Sequence, residues 1–380
     1  VSLAATQFVL SFQILHGLSP AEFGAFAFLL VAQQFSLGVS NALLGAPLPV
    51  LLGEAGPHRR EAVERCLLGT NLVFAAAVFA LIGGIAVLLG LRPGASLLAG
   101  LFGAVTALRW FGRVCAYAAG RPMRTVASDL VTSAVVGIGS VGLALAPPSG
   151  TAEPFAILAL SAVAGLATFG SAHLRAQFRR PALTDLAAYR DVWRRHSSWS
   201  LTGVVTTEAT ANAHAYIVTL IVGPATFAAV AASALLIRPI SVVQNALTEF
   251  ERPRMARDVS SGAFDRVWRA VLGFRLALIG GWVACVAAAV VILSFAPRLF
   301  FPGTYGLDEI AFGVALWMVV AFVRLMRTPE SAALQAAGQF RPLALASIWS
   351  CGISVAAVPI FLAAGGAVWS IAGVLVGEAA

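Results

Sequence analysis

Pro20-Ala21-Glu22-Phe23, followed by Asn41-Ala42-Leu43 and Pro49, returns 204 residues later as Pro224-Ala225-Thr226-Phe227, Asn245-Ala246-Leu247 and Pro253. The register holds on both sides of this stretch. Val1, Ala5 and Thr6 meet Val205, Ala209 and Thr210, while Val63, Arg65, Leu68, Gly69 and Leu72 meet Val267, Arg269, Leu272, Gly273 and Leu276. After a short insertion in the Arg298–Asp308 loop, Ala118-Ala119-Gly120 matches Ala336-Ala337-Gly338, which superposes Arg109 on Arg327. Rare residues recurring in order mark an internal duplication, and the chain reads as two related halves.

Composition says what the halves are made of. Of 380 residues 59% are hydrophobic and 11% charged, and the mean hydropathy is strongly positive, which excludes a water-soluble domain. Apolar runs long enough for a helix to cross a hydrocarbon core of about 30 Å recur throughout. We place twelve spans at 1–16, 21–45, 64–90, 95–119, 125–146, 153–173, 198–222, 224–249, 268–296, 309–337, 342–363 and 365–380. The last is incomplete at Ala380, and both ends read as trimmed. The expected fold is an all-α polytopic membrane protein of two six-helix lobes, 1–174 and 198–380, joined by a cytoplasmic amphipathic linker at 175–197. In that linker Leu183, Leu186, Tyr189, Val192 and Trp193 recur at helical spacing against Arg190, Arg194 and Arg195.

Charge sets the expected orientation. The net charge of +8 comes from 25 basic residues, all arginine, scattered between apolar spans, so nucleic acid is not the implied partner. Arg59, Arg60, Arg65, Arg121, Arg124, the six arginines of 175–195, the five of 252–269 and Arg341 follow even-numbered spans, whereas the opposite loops hold Arg92 and Arg298. The arginine-rich side is cytoplasmic by the positive-inside rule, with both termini on it. Because each repeat holds an even number of spans, the halves share one orientation about a pseudo-twofold axis along the membrane normal. Parallel repeats of this kind characterise secondary transporters; duplication for assembly alone is the alternative. Cys66, Cys115, Cys285 and Cys351 have neither metal-ligand nor disulfide spacing, and no metal site is expected.

Ionisable groups inside spans are costly and mark function by default. Arg109 with Arg113, and Arg324 with Arg327, share a helix face at equivalent places in the two halves. Guanidinium forks suit phosphate and carboxylate, so with Arg238 these are expected to line a cationic substrate cavity, unless Arg113 and Arg324 only snorkel. Glu208 lies roughly 15 Å into the seventh span, and Arg238 is also near mid-bilayer, beside the helix breaker Pro239. The two are expected either to form a coupling-ion site or to pair structurally. Asn41 and Asn245 are expected to bond neighbouring helices, as are Gln33, Asn71, Asn212 and His214.

No GxxxxGK loop, GxSxG elbow, HExxH or long extramembrane loop is present, which argues against an enzyme. Gly17-Leu-Ser-Pro20-Ala-Glu22-Phe23-Gly24-Ala-Phe26, then Ser40-Asn41-Ala42-Leu43, with the echo from Gly223, resembles the opening of the Wzx-type polysaccharide-export flippases. These belong to the multidrug/oligosaccharidyl-lipid/polysaccharide (MOP) superfamily. The resemblance implies movement of undecaprenyl-diphosphate-linked oligosaccharide between leaflets of the bacterial inner membrane by alternating access, coupled to H+ or Na+ and without a resident cofactor. It also implies a place beside the polymerase and chain-length machinery of surface polysaccharide such as O-antigen. The rivals are a drug or metabolite exporter, a membrane glycosyltransferase or ligase, and a non-transporting assembly scaffold.

Overall fold

The computed structural model describes residues 2–54 and 57–380, with side chains except at 53, 54, 57–59, 196, 199, 249, 253, 260, 340 and 341. Val1 and the side chains of Arg59, Pro253 and Arg341, which contribute to the repeat and the charge pattern, lie outside the described residues. Among the described residues there is helix and connecting turn but no strand, as expected where lipid cannot satisfy backbone polar groups. The first helices are α1 Ser2–Gly17, α2 Pro20–Ser40, α3 Pro47–Glu54, α4 Pro57–Leu88, α5 Pro93–Ala118, α6 Pro122–Leu145, α7 Ala152–Ala167, α8 Ser171–Gln177 and α9 Leu183–Val192. They are followed by α10 Ser198–Ile221, α11 Pro224–Ser233, α12 Arg238–Ser260, α13 Phe264–Phe295, α14 Pro297–Phe300, α15 Leu307–Ala336, α16 Phe340–Gly365 and α17 Ser370–Ala379.

All twelve predicted spans fall on these helices. Among the described residues, eight helical stretches are individually long and apolar enough to cross a membrane, and the bent pair α7–α8 makes a ninth. The other three are α1, α17 and α10, of which α10 carries Glu208, Asn212 and His214 in its interior. Leu88, Leu145 and Phe295 are more than four-fifths exposed, a surface suited to lipid and not to water.

The chain divides into two compact units, Val1–Val205 and Thr206–Ala380, and the boundary falls inside α10. In the first unit α5 is central, packing on α4, α7, α2 and α6; in the second α15 packs on α13, α12, α17 and α11. These are the fourth and tenth spans, superposed by the repeat. The core of the first unit includes Leu44, Leu48, Leu67, Leu68 and Phe111. That of the second includes Met255, Val271, Phe274, Leu278, Leu325 and Ala332.

The repeated Pro-Ala stretch starts a helix in both units. Pro20 sits in the first turn of α2, where its missing N–H costs nothing. Ser19 caps it in a capping box: its Oγ accepts from the Glu22 N–H, and Glu22 Oε2 accepts from the Ser19 N–H at 3.2 Å. Past Ser40 the helix widens into a π turn, Asn41–Gly45, closed by the Ala46 N–H donating to the Asn41 carbonyl at 2.7 Å. Proline explains where the Leu43 carbonyl goes. An α-helix would satisfy it with the N–H of residue 47, but Pro47 has none. The carbonyl instead accepts from Tyr189 Oη and Ser197 Oγ, each at 2.8 Å.

Three expectations are refined here. The sixth span was read as 153–173, but α7 ends at Ala167 and α8 leaves it at 110°. The bend is made by Gly170 at φ +89°, a left-handed conformation that costs other residues roughly 1–2 kcal/mol. The linker was expected to hold an amphipathic helix on the cytoplasmic leaflet; α9 falls within it, packs on α4 and runs without a break through a second π turn, Trp193–Ser197, into α10. The interruption expected at Pro239 takes the form of a 3-10 turn at Ala234–Ile237.

The last helix crosses α16 closely. A Cβ on Gly373 would lie 2.5 Å from Val358 Cα, and one on Gly377 would lie 2.4 Å from Ser354 Cβ. Small residues four apart let two backbones approach in this way. The crossing carries Glu378 toward α15.

Candidate functional site

Each unit holds two arginines against one carboxylate. In the first unit, Asp129 of α6 is ion-paired with both Arg109 and Arg113 of α5, the latter at 3.3 Å. Arg109 Nε also donates to Ser128 Oγ at 2.9 Å, and Ser128 passes the bond on to the Gly165 carbonyl of α7 at 2.8 Å. Arg109 is only 4% exposed. In the second unit, Arg324 Nε donates to Glu378 Oε1 at 2.7 Å, and Arg327 pairs with Oε2 and reaches the Glu378 carbonyl at 3.2 Å. The Glu378 side chain is 3% exposed, those of Arg324 and Arg327 26% and 48%.

These triads revise the expected cationic lining. Arg109 is packed among α5, α6 and α7 with its guanidinium engaged, so in this conformation it holds helices together. Arg113, with its guanidinium carbon 4.9 Å from the Trp110 ring centre, and Arg327 keep accessible surface. Within each triad one carboxylate stands against two arginines, and in the second unit Glu208 also interacts electrostatically with Arg324. The carboxylate comes from different helices: α6 in the first unit, α17 in the second. Buried ions need both a partner and saturating hydrogen bonds, which here come from Ser128 and from the Glu378 carboxylate and carbonyl.

Neither Asp129 nor Glu378 emerged from the sequence reading, which followed the arginines. The signal was present, since both are acidic residues inside predicted spans. A third pair was also missed, Arg275 of α13 with Glu330 of α15.

Among the described residues Glu208 forms no ion pair with Arg238. It is half-buried and accepts from Asn212 Nδ2 at 2.7 Å, one turn along α10. Arg238 is half-buried at the first position of α12, after the 3-10 turn. Asn41 and Asn245 are exposed and make no side-chain hydrogen bond within their units among the described residues. Other amides do join helices: Gln33 Nε2 donates to the Gly103 carbonyl at 3.3 Å, and Asn71 Nδ2 to Gln177 Oε1 at 3.1 Å. His214 is buried with its ring edge-on to Trp317, centroids 4.9 Å apart.

No family model and no curated protein sequence matches the chain. Solved structures do. The lipid II flippase MurJ in an inward closed conformation aligns over 99% of this chain and 83% of its own, with a TM-score of 0.76 at 7% identity. An inward-facing multidrug-resistance MATE transporter of the MOP superfamily aligns over 100% and 91%, TM-score 0.69, 14% identity. A third is a MOP transporter from Pyrococcus furiosus, for which a reverse polarity of the binding pocket suggests a different function; it aligns over 99% and 89%, TM-score 0.60, 15% identity. Helix order, the two repeated units and these alignments over nearly the whole length agree: this chain has the fold of the MOP-superfamily transporters.

Proposed function

We propose that the protein is a flippase that carries undecaprenyl-diphosphate-linked oligosaccharide from the cytoplasmic to the periplasmic leaflet of a bacterial inner membrane. The observation that supports this reading best is the positive excess of the two arginine–carboxylate triads. Positive charge inside a bilayer is expensive, and an anionic cargo is a reason to keep more of it than helix packing needs. Arg113 and Arg327, the more accessible member of each triad, are the arginines offered to the diphosphate, and Arg238 is a third candidate; Arg109 and Arg324 position their neighbours. Transport is by alternating access, both termini facing the cytoplasm. Glu208 takes the coupling H+ or Na+. Polysaccharide polymerase and chain-length machinery would receive the product.

A second reading, an exporter of organic cations, is favoured by the carboxylates at Glu208, Asp129 and Glu378 and by the likeness to a multidrug-resistance transporter. One assay separates the two. The purified chain is placed in vesicles holding a fluorescent undecaprenyl-diphosphate sugar or a cationic dye, with an imposed proton or sodium gradient. Gradient-dependent flipping of the diphosphate lipid, slowed at least tenfold in Arg113→Gln and Arg327→Gln, is expected. Movement of the dye alone would replace the flippase by the exporter, and flipping that keeps its gradient dependence in Glu208→Gln would remove the coupling role.

A further inference from the structure

The first unit holds a cavity of about 610 Å³ that the proposed transport cycle does not use. It opens where α4 begins, α5 ends and α8 crosses them, the end at which the arginine-rich loops lie. Among the described residues three arginines line it, Arg60, Arg121 and Arg124, against one carboxylate, Glu64. Arg60 and Arg121 are exposed, whereas Arg124 donates to the Phe169 carbonyl at 2.8 Å and so ties α6 to the bend between α7 and α8. The deeper lining is apolar, with Leu52, Leu68, Phe111 and Cys115.

The bend builds the wall opposite the arginines. The missing side chain at Gly112 lets Phe169 and His173 close on α5, with the Phe169 ring 3.0 Å and His173 Nε2 3.1 Å from where a Cβ would stand. That Nε2 is buried and, among the described residues, without a hydrogen-bond partner. It offers a donor or acceptor to whatever fills the cavity. The volume lies inside the roughly 300–1,000 Å³ of small-molecule sites.

We propose that this cavity is a binding site for an anionic membrane phospholipid. The phosphate head would lie between Arg60 and Arg121, within reach of His173, and one acyl chain would run along the apolar floor. A basic rim over an apolar floor matches a charged head joined to a tail, and basic pockets on the inner face of membrane proteins recognise phospholipid heads. A soluble polyanion would gain nothing from Leu52, Leu68 and Phe111. The site lies wholly within the first unit and does not depend on what the protein transports.

The test is native mass spectrometry of the full chain released from nanodiscs of equal parts phosphatidylglycerol and phosphatidylcholine. Wild type should retain phosphatidylglycerol in preference to phosphatidylcholine. The double variant Arg60→Gln/Arg121→Gln should lower that preference about 25-fold, roughly fivefold for each charge. Ala172→Trp, an exposed position on the cavity wall, keeps every charge and should abolish retention by filling the space. No preference in wild type, or an unchanged preference in the arginine variant, overturns the proposal. Loss in the arginine variant but not in Ala172→Trp would put the lipid on the outer surface and overturn the cavity assignment. Displacement of the lipid by inorganic phosphate alone would make this a phosphate site and overturn the lipid.

Discussion

Glu378→Gln is the sharpest perturbation the fold allows, because it changes one oxygen for an amide and leaves two guanidinium groups beside a neutral side chain. The carboxylate is almost completely buried, and Arg324 bonds it at 2.7 Å with a quarter of its own side chain exposed. Removing one partner from a buried pair costs about 3–5 kcal/mol, since the remaining charge keeps its desolvation penalty. Arg327 is nearly half exposed, so its share is screened and counts for about 0–1 kcal/mol. The expected loss is therefore about 3 kcal/mol, the lower end of the buried range, or more than a hundredfold in the folding equilibrium. Unfolding in mixed micelles, followed by tryptophan fluorescence, measures it. Arg324→Gln/Glu378→Gln should recover most of the loss because no uncompensated guanidinium then remains in the buried part of the triad. A single variant within about 0.5 kcal/mol of wild type, the range of an ordinary surface change, would refute the reasoning.

The same geometry gives three further expected outcomes. Tyr189→Phe/Ser197→Ala removes both side-chain donors from the Leu43 carbonyl and should cost about 1–3 kcal/mol in the same assay, with each single change costing less. Burial raises the Tyr189 phenol above its ordinary pKa of 10.0, so its contribution is complete below pH 10 and is lost as pH rises through the folded value; Tyr189→Phe should flatten that part of a stability profile. Gly373→Val would press a side chain onto the backbone of α16, and overpacking should cost about 1–3 kcal/mol in the same unfolding assay.

Most of the fold was legible because lipid makes it so. Twelve apolar runs became helices, the sixth of them bent into two, and the internal repeat, followed past its insertion, paired α5 with α15 from sequence alone. What the sequence hid was local. Gly170 in a left-handed conformation and the prolines at 47 and 49 decide where a helix bends or widens, and hydropathy does not register such turns. The site was half legible for an electrostatic reason. Arginines repeat between the halves, so the repeat pointed to Arg109 and Arg327, but their carboxylates sit on non-equivalent helices and leave no repeat to find. Glu208 and Arg238 share a depth by helical rise, and depth alone does not bring two side chains together; Asn212, one turn away, reaches Glu208 instead.

The unequal placement of those carboxylates also bears on how the chain enters the membrane. Arg109 meets Asp129 only 20 residues further along, on the very next span, so a nascent hairpin of α5 and α6 arrives at the translocon with its counter-ion already on board. Arg324 waits 54 residues for Glu378, through all of α16 and most of α17. During that interval the tenth span holds bare arginines, each disfavoured by about 2.5–3.5 kcal/mol at the middle of an inserting helix. The tenth span thus draws the counter-ion seen here from a helix made 54 residues later, while the fourth draws its own from its immediate successor.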